Sequence, residues 1–111
     1  KYFPIVYEGM ARVFESGTAR TSQIPGLQMC GKTGTAENSH GKDHSIFVGF
    51  APRNNPKIAI AVVVENAGFG SLYAAPIFSL MVEQYLYRKI KRTELLNSTV
   101  AKVTNSYVKE R

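Results

Sequence analysis

Apolar positions recur with helical spacing at the start of the chain. Val6, Met10, Val13 and Phe14 fall on one stripe, Pro4 suits a first turn and Gly17 a stop, so the spacing predicts a helix over residues 4–16. The pattern breaks over residues 18–26, where Pro25-Gly26 marks a turn. Beyond it the period falls to two, or to continuous apolar runs. Strands are predicted over residues 27–35, 44–51 and 57–65. In the third, Ile58, Ile60, Val62 and Val64 alternate with Ala59, Ala61 and Val63, which predicts burial on both faces. The connections at 38–43 and 52–56 are short and turn-rich, so an antiparallel meander is the economical topology. Residues 66–71 read as a glycine-containing loop. Residues 72–89 read as an apolar helix packed on the sheet, with Pro76 in its first turn. Leu96, Val100, Val103 and Tyr107 predict a last amphipathic helix over 93–109. The expected fold class is α+β: a three-stranded antiparallel sheet flanked by N- and C-terminal helices.

Composition narrows the class. With 111 residues, 44% hydrophobic and 20% charged, the chain is a small globular domain or part of a larger one. Its longest apolar run, residues 58–64, is strand-sized and too short to cross a bilayer. Lys1 is not followed by an apolar leader, so the targeting segment of an exported parent is expected elsewhere. The net charge of +6 gathers late, at Arg88, Lys89, Lys91, Arg92, Lys102, Lys109 and Arg111. That divides the chain into a main body, 1–90, and a basic, helical tail, 91–111. The tail reads as a solvated face rather than a polyanion patch, and no nucleic-acid partner is expected. Cys30 is the single cysteine, which excludes a disulfide framework or a cysteine zinc site and suits a small buried hydrophobe.

The stretch that carries chemistry is Gly31-Lys32-Thr33-Gly34-Thr35-Ala36-Glu37, on a predicted strand edge beside a hairpin. Lys32 supplies a fixed positive charge, and the Thr33 and Thr35 hydroxyls can donate to a carboxylate. Gly34 lets a ligand approach the backbone closely. An open strand edge offers main-chain groups to an extended peptide. Together these suit a peptide that ends in a carboxylate. A competing reading exists, because Gly26, Gly31, Lys32 and Thr33 also spell G-x-x-x-x-G-K-[ST]. That phosphate loop needs a buried strand before its first glycine and a helix after its threonine, and neither is predicted. Two Ser-x-x-Lys spellings, Ser39 to Lys42 and Ser106 to Lys109, place their serines in a hairpin loop and a tail, after the Lys-Thr-Gly element. His40 and His44 flank a turn with no third ligand nearby, so no metal is expected. Glu37 and Glu65 read as solvated strand ends, and Phe47, Phe50, Phe69, Tyr73, Phe78 and Tyr85 as packing residues.

With these elements in order, residues 31–37, then His44 to Pro52, then Ile58 to Val64, the chain resembles the class B penicillin-binding proteins, and within them the elongation-associated branch. Gly9-Met10, Gly17-Thr18-Ala19 and the Tyr73 to Phe78 run resemble the flanking helices of that family, so the likeness covers residues 4–86. The order of elements carries the specificity, since Lys-Thr-Gly alone is common. The resemblance implies a partial penicillin-binding/β-lactamase-like fold and a D,D-transpeptidase that cross-links peptidoglycan stem peptides ending in D-Ala-D-Ala through a serine acyl-enzyme. It implies β-lactams as ligands, no cofactor, and a place at the periplasmic face of the inner membrane, anchored by another segment. It further implies contact with the remainder of the same polypeptide and with cell-wall elongation machinery. By resemblance Lys32 positions the substrate carboxylate and supports proton relay. Thr33 and Thr35 hold that carboxylate, the Thr35 N–H is an oxyanion donor, and Gly34 keeps the strand smooth. The family's Ser-x-x-Lys helix and Ser-x-Asn loop should precede Lys32, and neither occurs there in usable form. The chain is therefore expected to be a segment unable to acylate by itself, with an apolar patch that promotes self-association. A β-lactam-sensing module remains the alternative to the enzyme.

Overall fold

The computed structural model describes residues 3–15, 17, 19–37, 39–65 and 73–109; the side chains of residues 3–5, 7 and 103–109 and the predicted loop at 66–71 lie outside the described residues. The first helix, α1, spans Phe3–Glu15. Ala11 and Phe14 are buried, Met10 and Val13 half-buried, and Val6 is exposed, so the apolar stripe turns inward only towards the helix end. Arg12 and Glu8 pair across one turn at 2.8 Å on the exposed face. The chain then folds sharply back, with Gly17 N–H donating to the Arg12 carbonyl at 2.8 Å. Gly17 is needed there, because an added Cβ would lie 2.9 Å from the Val13 Cα.

A single 3-10 turn, Arg20–Ser22, leads to a second turn in which Leu27 N–H donates to the Ile24 carbonyl at 3.1 Å and Gly26 takes φ +80°. These turns shorten the first strand. β1 is Cys30–Ala36 rather than 27–35, because residues 24–27 close on themselves before the ladder begins. β2, His44–Ala51, and β3, Ile58–Val64, complete an antiparallel sheet in the order β1-β2-β3. The register pairs Thr33 with Phe47 and Phe47 with Val62.

Both long helices of the core lie on one face of this sheet. α2, Ala74–Tyr87, begins where the Ala74 N–H donates to Ser45 Oγ at 3.2 Å, which satisfies one of the orphan donors of a helix start. It ends with Arg88 in the left-handed conformation at φ 62°. Phe14 of α1, Phe47 of β2 and Phe78 of α2 form the centre, with ring centroids 4.8 to 5.8 Å apart. Met29, Ile24, Val62, Val64 and Val82 surround them. The expectation of two buried faces on β3 is corrected here. Ile58, Ile60, Val62 and Val64 face the helices, whereas Ala59, Ala61 and Val63 are exposed, Val63 at 59%. Among the described residues, the helices cover one side of the sheet. α3, Thr93–Lys109, packs against α2.

Candidate active site

β1 carries the Lys-Thr-Gly stretch along an edge that no strand among the described residues pairs with, since β2 lies on its other side. Its position is set by what lies behind it. Gly31 faces the core, where an added Cβ would stand 2.2 Å from Phe47 Cζ and 3.2 Å from Phe14 Cε2. Gly49, its partner on β2, meets backbone instead, since its Cβ would stand 2.4 Å from the Cys30 carbonyl oxygen. Two glycines therefore let β1 sit close to β2 and to the aromatic centre. Gly34 differs: a Cβ there would meet only Ile46, at 3.7 Å. The chain's own packing leaves room for a methyl group, so a requirement for glycine at 34 would come from something outside it.

Side chains alternate along β1, so Thr33 and Thr35 lie on the same face as Gly31, towards the helices, and Lys32 lies on the opposite face. Lys32 and Thr35 are exposed and Thr33 is half-buried. Lys32 Nζ donates to the Thr33 carbonyl at 2.9 Å. That contact places the Thr33 carbonyl on the open side of β1, because the ladder to β2 fills the other. Backbone direction repeats every second residue, so the Thr35 N–H also points to the open edge. The Thr33 and Thr35 side chains share one face of the strand for the same reason. Beside them a groove of about 550 Å³ runs between α1 and β1, lined by Met10, Val13, Lys32 and Thr33 among others. A larger apolar groove of about 870 Å³ lies at the opposite sheet edge, between β3, α2 and α3. It holds little polar chemistry, and the chemistry rather than the volume locates the candidate site at β1.

Behind Lys32, Cys30 is fully buried. Burial pushes its thiol pKa up; the Arg53 charge opposes this and Glu15 adds to it. A thiol held neutral in this way is a packing group, as its lone occurrence suggested.

The competing motifs separate cleanly. Gly26 sits in a turn and Thr33 in mid-strand, so no helix N-terminus follows the threonine and the phosphate-loop reading is excluded. Ser39 lies exposed in the turn between β1 and β2, where Lys42 is not one helical turn away. Ser106 falls on α3, and its side chain is outside the described residues. His40 and His44 join no cluster of three metal-binding side chains among the described residues. Glu37 and Glu65 are exposed at strand ends, and Tyr85 is half exposed on α2 rather than buried.

One polar constellation escaped the sequence reading. Glu83 of α2 is 3% exposed and accepts from Arg92 Nε at 2.9 Å and from the Lys91 N–H at 3.0 Å. By composition Arg92 reads as part of a solvated basic tail. The available signal was Glu83 itself, a carboxylate inside an otherwise apolar helix, which requires a partner.

A three-stranded antiparallel sheet with helices on one face, edged by Lys-Thr-Gly, defines a penicillin-binding transpeptidase class. The family model described as the penicillin binding protein transpeptidase domain matches residues 1–83, and the chain belongs to that family. Among particular proteins, it is 42% identical over 89 residues to the peptidoglycan D,D-transpeptidase MrdA of Acinetobacter baumannii, covering 64% of this chain and 13% of that protein. Pseudomonas aeruginosa PBP2, solved with the compound WCK 5153, is 40% identical with TM-score 0.65, covering 78% of this chain and 20% of that one. Penicillin-binding protein A of Mycobacterium tuberculosis, solved as a ceftriaxone acyl-enzyme, is 37% identical with TM-score 0.67, covering 73% of this chain and 20% of that one. The chain thus spans about an eighth of the length of the curated relatives it matches, at 13% and 12% for the first two.

Proposed function

We propose that this chain supplies the substrate strand of a peptidoglycan D,D-transpeptidase whose nucleophilic serine lies elsewhere in a longer polypeptide. The observation that carries the reading is β1: an open edge with Lys32, Thr33 and Thr35 on it, held against the core by Gly31 and Gly49. In the reaction, the serine oxygen attacks the carbonyl of the penultimate D-Ala. The terminal D-Ala leaves with a proton, and an ester remains. A neighbouring stem's amine then attacks the ester, forms the new amide and returns a proton to the serine.

Lys32 positions the substrate carboxylate and supports the proton relay. Thr33 and Thr35 hydroxyls hold the terminal carboxylate, or that of a β-lactam, by charge-assisted hydrogen bonds. The outward Thr35 N–H serves as one oxyanion donor; removal of such a donor costs about 3 kcal/mol in the transition state. The second donor, the serine and its lysine come from the remainder of the polypeptide, so the chain alone does not acylate. Residues 1–90 form the C-terminal part of the transpeptidase domain and 91–111 a basic helical extension. The parent acts at the periplasmic face of the inner membrane, with stem peptides and β-lactams as ligands and the elongation machinery as partner.

The test is fluorescent-penicillin labelling of the longer polypeptide. Lys32→Ala and Thr35→Val, which remove the ammonium and the hydroxyl that hold the carboxylate, should each slow labelling about tenfold to a hundredfold, while this chain alone takes no label. Wild-type labelling rates in both variants would overturn the site. Transfer of the acyl group to an added amine distinguishes the enzyme from a sensor that only binds.

A further inference from the structure

All three guanidinium nitrogens of Arg92 bond groups far away in sequence. Nε donates to Glu83 Oε1 at 2.9 Å, Nη2 to Ser79 Oγ at 2.7 Å, and Nη1 to the carbonyls of Ser22 at 3.1 Å and Gln23 at 3.3 Å. Ser79 Oγ donates to the same Ser22 carbonyl. None of these side-chain bonds goes to α3, although Arg92 stands immediately before it. The node is partly desolvated: Ser22 and Ser79 are 0% exposed and the Arg92 side chain is 19% exposed, while Gln23 is at the surface. A planar fork matches four acceptors at once in a way that an ammonium does not.

The target of this node is the lead-in to β1. Only residues 23–29 separate Ser22 from Cys30, and the backbone hydrogen bonds they make outside the node are Gln23 to Arg20, Leu27 to Ile24 and Arg53 to Gln28. Ile24 and Met29 anchor this segment in the core, and between them it has little regular structure to fix its path. Its two ends are set by the Arg92 node on one side and the ladder on the other. Arg92 also lies beyond the residues matched by the family model, which end at 83.

We infer that Arg92 is a positioning residue for the Lys32–Thr35 strand, acting through the Ser22–Gln23 carbonyls, with Glu83 and Ser79 holding its guanidinium in place. The inference rests on the reading of β1 as the substrate strand. It makes the first residues of the basic tail part of the site's framework.

Hydrogen exchange of the chain tests the mechanical half. Arg92→Lys keeps a charge beside Glu83 and gives up the fork. It should speed exchange of the amides that β1 donates to β2 about tenfold, with α2 amides changing less than about twofold. Ser79→Ala, which leaves the ion pair intact, should move the same β1 amides in the same direction. Faster exchange confined to α2 and α3 would show that the node serves the helices only, and the proposal would fall. If Arg92→Lys does not fold, Ser79→Ala decides by the same criterion.

In the longer polypeptide, Arg92→Lys should lower the second-order rate of penicillin acylation about tenfold, at a thermal midpoint within about 2 °C of wild type. An unchanged rate overturns the positioning role. A wild-type polypeptide that takes no label would instead refute the transpeptidase reading, and the exchange result would still judge the clamp.

Discussion

Gly49→Ala places one methyl group against the backbone of β1. Its Cβ would lie 2.4 Å from the Cys30 carbonyl oxygen and 2.8 Å from Phe78 Cζ. Contacts of this kind do not fall below 3.0 Å, so the shortfall against the carbonyl alone is at least 0.6 Å. The obstacle is backbone, which cannot rotate away as a side chain does. Phe78 cannot withdraw either, because it is fully buried against Phe14 and Phe47. The strands must therefore separate. Overpacking costs about 1–3 kcal/mol, and one or two weakened ladder bonds add about 1 kcal/mol each. A loss of about 3 kcal/mol lowers the melting temperature of a domain this size by roughly 12–20 °C. The assay is thermal unfolding of the chain followed by circular dichroism. Gly9→Ala is the control. It lies within α1, nothing stands within 4 Å of its Cβ, and removing a helical glycine should stabilise by about 0.5–1 kcal/mol. A Gly49→Ala midpoint within about 3 °C of wild type would refute the close-approach account of β1 placement.

The other expectations are narrower. Cys30 has a folded pKa raised above 9.0 by burial, so its contribution to stability is complete below that pH and is lost as pH rises through the folded value. Chemical denaturation at pH 7 and pH 10 should show a decline that Cys30→Ala reduces, and an equal decline in the variant would contradict it. Phe14→Leu should cost about 2 kcal/mol by urea denaturation, since the ring is 1% exposed in the aromatic centre. Glu8→Gln should change stability by no more than about 0.5 kcal/mol, because both partners of its ion pair are over half exposed. Light scattering of Val63→Lys should show less concentration-dependent association than wild type, as Val63 stands 59% exposed on an apolar sheet face.

Much of this protein was legible from its sequence because the relevant rules are local. The alternating run at Ile58–Val64, the turn at Pro25-Gly26 and the apolar helix around Pro76 follow from side-chain period and backbone restriction, which need no partner to act. Strand β2 fell within the bounds its pattern predicted, and so did α3. The Lys-Thr-Gly stretch announced its chemistry through residue types alone.

What the sequence could not decide was which groups meet. Periodicity made both faces of β3 apolar, and only the placement of α1 and α2 on one side left Ala59, Ala61 and Val63 exposed. Gly31, Gly34 and Gly49 are the same letter. The tertiary structure alone shows that Gly31 and Gly49 are demanded by neighbours within the chain, while Gly34 is not. Arg92 belongs to a basic run by composition, yet its side chain reaches Ser22, 70 positions away, and Glu83. Local pattern records how each residue relates to its own backbone. Distances between residues far apart in sequence exist only once the sheet and helices have closed around a common core.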